Sequence, residues 1–176
     1  MKTYNFSGGL RNKSKRVPIK YVPKRLTKKD RKKQSKSLLR SQKEYKKGKY
    51  YTRPKVKSYT AKPSKYVVQA KKIYNIQKIR PSKELAKKTG CSLKGLNEIV
   101  KKGQGAYYSS GSRPNQTGHS WGIARMASVI TGNKAAAVDF HIVEKHCKKT
   151  KKAYKLAKKA LTKHGRGTRK VPKVQI

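Results

Sequence analysis

Acid is what this chain has least of. Only 6 of its 176 residues are Asp or Glu, against 50 Lys and Arg, for a formal net charge of +44. Such a protein repels itself at separations below the Debye length, roughly 8 Å in physiological salt. That excludes a life apart from something strongly negative: nucleic acid, an anionic membrane face or acidic protein surfaces. Long apolar runs are also missing. No stretch approaches the roughly 18 apolar residues of a membrane span, and Met1 to Phe6 lack the apolar core of a signal peptide. Any membrane contact is therefore expected through surface charge. Cysteine is limited to Cys91 and Cys147, too few for a disulfide framework. Two reduced, partly buried thiols are expected, as in a reducing compartment, with a single bridge as the alternative.

Aliphatic residues are sparse in the first third. Residues 1–62 carry almost no aliphatic clusters, so that segment is not expected to bury enough surface to offset its ordering entropy. Most of the Leu, Ile, Val and Ala, the single Trp and both Cys fall between about 66 and 147, together with Glu84, Glu98, Asp139 and Glu144. The reading is a mostly α protein in three parts: an extended basic arm over 1–63, a small helical core over 64–147, and a basic amphipathic helix and tail over 148–176.

Helix signals support this division. In the arm, Ser7-Gly8-Gly9 is a flexible break, and Pro18 and Pro23 bracket a segment suited to β-addition or a polyproline path. Residues 27–47 are compatible with a helix capped by Thr27, formed against a polyanion that quenches Lys–Lys repulsion. Tyr66, Ala70, Ile73 and Tyr74 share one face after Ser64. A short helix runs from Pro81 to Thr89 and stops at Gly90. Ser92 caps the next, which buries Leu93, Leu96, Ile99 and Val100 and ends near Gly103. Five Gly and Pro residues between 103 and 119 indicate a long Gly/Ser-rich loop. Ser120 to Thr131 is helical, with Trp121 as a core anchor. Residues 134–164 read as one helix, bent near Cys147, whose end places Tyr154, Ala157, Ala160 and Leu161 on one face. Strand signals are weak throughout.

Three constellations bear on function. Glu84 to Val100 resembles a helix-turn-helix, with Ala86 at the close approach, Gly90 in the turn, and Leu96 and Ile99 as anchors. In a DNA reader, Lys94, Asn97 and Lys101 would face the groove, although Gly95 weakens the second helix and plain structural packing is the favoured reading. The Gly103–Trp121 loop offers Tyr107, Tyr108, Arg113, Asn115, Gln116 and His119 for docking a protein partner, or for cradling an anion. Tyrosines interleave with cations from Tyr45 to Tyr74, and Tyr50, Tyr51 and Arg53 stand out. Tyr can stack on bases while Lys tracks phosphates, or it can anchor in an acidic protein groove. Catalysis is not expected. His141 and His146 lie about 140° apart on a helix, so they do not converge on a metal, and no phosphate-binding glycine fingerprint is present.

The run Gly105-Ala106-Tyr107-Tyr108-Ser109-Ser110-Gly111-Ser112-Arg113-Pro114-Asn115-Gln116-Thr117, followed by His119-Ser120-Trp121-Gly122-Ile123-Ala124-Arg125 and Ala135 to Ile142, resembles an uncharacterised domain family of large nucleocytoplasmic DNA viruses of algae and amoebae. The basic lead-in with Tyr50-Tyr51-Thr52-Arg53-Pro54 is similar too, so the likeness covers roughly residues 20–145. It carries over no catalytic residues, cofactor or metal. It implies a virion protein of the inner capsid layer, bound to major and minor capsid proteins, with viral DNA or an anionic inner membrane surface as further partners. The expectation is a non-enzymatic minor capsid component without a small-molecule substrate; the alternative is a DNA-condensing protein.

Overall fold

The computed structural model describes residues 15–167 and 171–176. The protein is mostly helical, as expected. Its centre is the crossing of α4 (Leu93–Ser109) and α5 (Gly118–Ile130). A Cβ on Gly103 would sit 2.6 Å from Gly122 Cα, and one on Gly122 would sit 2.7 Å from the Val100 carbonyl oxygen. Neither position can carry a side chain. Each mid-helix glycine costs about 1 kcal/mol of propensity. The close approach it permits helps bury Ile99, Val100, Met126, Val129 and Ile130, and a fully buried aliphatic contributes roughly 1.5–3 kcal/mol. This corrects the expected long loop: α4 continues through Gly103 and Gly105, and the connection to α5 shrinks to residues 110–117.

Around this pair lie α2 (Lys65–Tyr74), α3 (Lys83–Thr89), α6 (Lys134–Val138), α7 (Phe140–His146) and α8 (Lys152–His164). The local signals for α3 and α4 hold. Ser82 accepts from Leu85 N, Ser92 accepts from Gly95 N, and Gly90 leaves α3 at φ +74°. Leu93 differs from expectation, being 40% exposed at the first turn of α4. The single helix expected over 134–164 is three. It breaks where Asp139 turns inward to Arg125, and again at Cys147, whose backbone is extended. The buried face of α8 (Ala153, Tyr154, Ala157, Ala160) joins the same core as α2–α7.

Cys91 and Cys147 are disulfide-bonded, not the reduced thiols expected. The α3–α4 turn and the end of α7 form an antiparallel bridge there, with Ser92 N donating to His146 O and Lys148 N to Gly90 O. This juxtaposition arises from tertiary structure between residues 56 apart in sequence.

The expected coreless arm is also corrected in its described part. The Ser7-Gly8-Gly9 break lies outside the described residues. From Lys15 onward the segment is folded. β1 (Arg16–Pro18) pairs antiparallel with β2 (Lys173–Gln175), Val17 opposite Val174. The segment expected to suit β-addition or a polyproline path is instead a 3-10 turn over Ile19–Tyr21, and the strand pairing falls just before it. α1 (Lys28–Lys46) begins at a Thr27 cap that accepts from Asp30 N. Val17, Tyr21, Val22, Leu26, Leu38, Val56 and Tyr59 form a second buried cluster, with Trp121, Val174 and Ile176 packed against it. Trp121 is therefore half-buried, edge-on to Tyr21 with ring centroids 6.0 Å apart, not an anchor of the main core. The buried face of α1 is unusual: Gln34, Ser37, Ser41 and Gln42 surround a single buried aliphatic, Leu38.

Candidate functional site

The polar face of α1 meets the C-terminus of α4. The last carbonyls of any helix lack intrahelical donors and carry the negative end of its dipole. Here Tyr107 O accepts from Arg53 Nη1 (2.9 Å), Tyr108 O from Ser41 Oγ (3.2 Å) and Ser110 O from Gln42 Nε2 (3.2 Å). The Arg53 guanidinium also donates to Ser41 Oγ and Ser112 Oγ and lies 3.6 Å from the Tyr107 ring centroid. Burial draws the pKa of Arg53 below its ordinary value. Its partners are neutral oxygens, the helix terminus and a π face, all of which stabilise a cation. Arg53 and Tyr107, both expected to face a partner, are thus internal, at 8% and 1% exposure.

Three more expected contact residues have internal partners. Asn115, at φ +58°, accepts from Val56 N (2.8 Å) through Oδ1, while its Nδ2 donates to the carbonyls of Val56 and Tyr59. It latches the returning 56–59 segment. Gln116 Oε1 accepts from Ser120 Oγ, beside the capping box that Thr117 and Ser120 form at the start of α5. Tyr51 is half-buried, with the Arg40 guanidinium 4.4 Å from its ring centroid. Exposed in this region are Arg113, His119 and Tyr50, with Tyr108 partly so. Tyr50 and Tyr108 meet at 4.9 Å, and Tyr45 lies 6.2 Å from Tyr50 and 6.4 Å from Tyr108. Tyr45 is legible in sequence only as the start of the Tyr–Lys interleaving. The grouping depends on the ends of α1 and α4 coming together.

The helix-turn-helix residues are presented as expected. Lys94, Asn97 and Lys101 are exposed along one side of α4, although Asn97 Nδ2 also donates to Leu93 O (3.0 Å). Gly95 is buried because a Cβ there would lie 2.3 Å from His146 Cβ. Beside it, Ser92 Oγ is 3.0 Å from His146 Nδ1, and His146 Nε2 is 3.2 Å from Glu98 Oε2 without hydrogen-bond alignment. This Ser–His–Glu row is a structural joint: Ser92 Oγ caps α4, and the histidine packs on Gly95. Among the described residues no three His, Cys, Asp or Glu are grouped to hold a metal, and no helix is long and apolar enough to cross a membrane.

The two aspartates have internal work. Asp30 Oδ2 accepts from both Ser58 N and Ser58 Oγ at 2.7 Å, and these bonds hold its pKa below the usual carboxylate range. Asp139 is fully buried, gripped by Arg125 (2.6 and 2.8 Å) and Lys102 (2.8 Å). Burial pushes its pKa up, but the bonds and charges of those two cations outweigh it, and the net shift is downward. Glu84 lies 3.8 Å from Lys88 at the surface, and Glu84, Glu98 and Glu144 are exposed. Lysine and arginine far outnumber them.

The chain matches the family of unknown function DUF5824 over residues 18–147 and belongs to that family. The match begins within β1, so the segment carrying α1 and Arg53 is part of the family's unit, and it ends at Cys147 of the disulfide. No curated protein and no solved structure matches the chain.

Proposed function

We propose that this is a non-enzymatic structural protein of a virus particle, a minor component of the inner capsid layer that cements acidic neighbours. The observation carrying this reading is a chain of +44 formal charge with 6 acids, of which Asp30 and Asp139 are buried and held by internal partners. Such a chain gains its complement from outside, and ordered neighbours suit an ordered body better than bulk polyanion does. The sequence likeness to large DNA viruses supplies the particle. The described part of the basic segment no longer supports a threaded arm; docking falls to surface residues, Arg113 first. Its planar fork can engage a carboxylate in two places. The membrane face and the genome are further polyanions within reach.

The test is incorporation. Arg113→Lys keeps the charge and loses the fork. It should leave salt-dependent binding to random DNA intact and weaken incorporation into particles. Normal assembly with collapsed DNA binding would sink the docking reading. A second reading, a DNA-binding and DNA-condensing protein that reads DNA through its helix-turn-helix-like hairpin, draws on the exposed Lys94, Asn97 and Lys101. It would prevail if one DNA site bound more than about 1,000-fold tighter than random sequence.

A further inference from the structure

We propose that Tyr45, Tyr50 and Tyr108 form a stacking platform for the bases of single-stranded nucleic acid, with the surrounding lysines holding its backbone. This goes beyond the capsid role and does not depend on it.

Tyr50 is 72% exposed, far from the usual state of an aromatic residue. It is not a stray side chain at a loop tip. Gly48, at φ +74°, turns the chain back along α1, and two residues later the Tyr50 ring meets Tyr108, tilted by 51°. Tyr108 and Tyr45 lie within 8° of parallel. Each ring comes from a different, independently fixed position: the last turn of α1, the return segment anchored by Arg53, and the last turn of α4. Gly118 keeps one ring free of crowding: a Cβ there would lie 3.1 Å from the Tyr108 ring. The fold itself thus brings the three rings together.

Charge surrounds it. Lys43, Lys46, Lys47 and Lys49 are exposed on the α1 side. On α4, Lys94, Lys101 and Tyr108 recur every seven residues, which places them on one face about 10 Å apart. Glu44 is the nearest acid in sequence and is half-buried.

Ring electrostatics favours nucleic acid over an acidic protein. An aromatic face is the negative side of the ring quadrupole. A carboxylate gains from the lysines and nothing from that face. A base has a π face of its own, and its phosphate stands far enough away to reach a lysine. Aromatic stacking with cations tracking the backbone is how single strands are held without regard to sequence.

The experiment compares three labelled anions on the full chain by fluorescence anisotropy: oligothymidylate, an abasic oligomer of the same length and charge, and polyglutamate. At about 0.15 M salt, the thymidylate should bind about ten-fold tighter than the abasic strand. Tyr50→Ala should remove most of that difference while leaving abasic and polyglutamate binding unchanged. Tyr50→Trp should retain tight binding and add indole fluorescence that oligothymidylate quenches. Circular dichroism checks that both variants fold. Equal affinity for thymidylate and abasic strands would overturn the platform. So would a Tyr50→Ala loss as large on polyglutamate as on thymidylate, which would make the patch a protein-docking surface. Neither result bears on Arg113 and incorporation, so the two proposals fail separately.

Discussion

The guanidinium of Arg53 lies 3.6 Å from the ring centroid of Tyr107 and donates to the carbonyl of the same residue. One arginine thus covers the π face of a buried tyrosine and closes the helix end that carries it. Through this contact the return segment after α1 is fixed to α4, and with it the direction in which Tyr50 projects.

Removing Arg53 leaves a buried carbonyl unpaired and exposes the face of Tyr107. Arg53→Ala should destabilise by about 3 kcal/mol, combining a lost cation–π contact with an unsatisfied acceptor. Arg53→Lys should recover less than half, since one ammonium cannot reach Tyr107, Ser41 and Ser112 together. Tyr107→Phe should be neutral or slightly stabilising, because the hydroxyl is buried without a partner. Urea denaturation measures all three. A stable Arg53→Ala would mean that the contact is incidental.

Asp139 should govern part of the acid limb. Its folded pKa lies below the ordinary value near 4. Near and below that value the unfolded chain binds the proton more readily, so stability falls as pH drops. The contribution is complete above about pH 4 and lost as pH falls through the folded value. Asp139→Asn should cost about 3–5 kcal/mol near neutrality, leaving Arg125 and Lys102 unmatched, and should flatten stability against pH below 4. The slope remaining should belong to Asp30, which is shifted the same way. An unchanged acid limb in Asp139→Asn would refute the assignment.

The disulfide joins residues 56 apart, so chain-entropy arguments give it about 4 kcal/mol. Denatured, unreduced protein should show no free thiol on titration, and reduction should lower the thermal midpoint clearly. Two titratable thiols per chain would return the cysteines to the reduced state that composition suggests.

Trp121 reports on the smaller cluster. Half-buried against Tyr21, it should cost about 1–2 kcal/mol on replacement by Ala, less than a core indole. Its fluorescence should follow the docking of residues 15–59 onto α4 and α5. Amide signals from that segment should be as dispersed in the isolated protein as those of the helical core. Narrow dispersion there would mean that the segment folds only on a polyanion.

The sequence by itself determined the helical class, the caps at Thr27 and Ser92, the stop at Gly90, and the exposed line of Lys94, Asn97 and Lys101. Each depends on local spacing or local backbone chemistry, which a short window contains. It also determined the charge. It did not reveal that the basic first third is folded, because α1 buries Gln34, Ser37, Ser41 and Gln42 instead of an aliphatic stripe. Ser41 and Gln42 satisfy carbonyls at the end of a helix 67 and 68 residues away in sequence, Gln34 donates to Tyr21 O and Ser37 to Gln34 O, so no hydrophobic period announces them. Only the tertiary structure decided that Arg53, Tyr107 and Asn115 hold the molecule together while Tyr45, Tyr50 and Tyr108 meet at its surface. A residue's type says which bonds it can make, but whether it makes them inward or outward depends on which distant element arrives beside it. The disulfide is the same case: a two-cysteine count describes both a bridge and a pair of thiols, and the distance between α3–α4 and α7–α8 chooses.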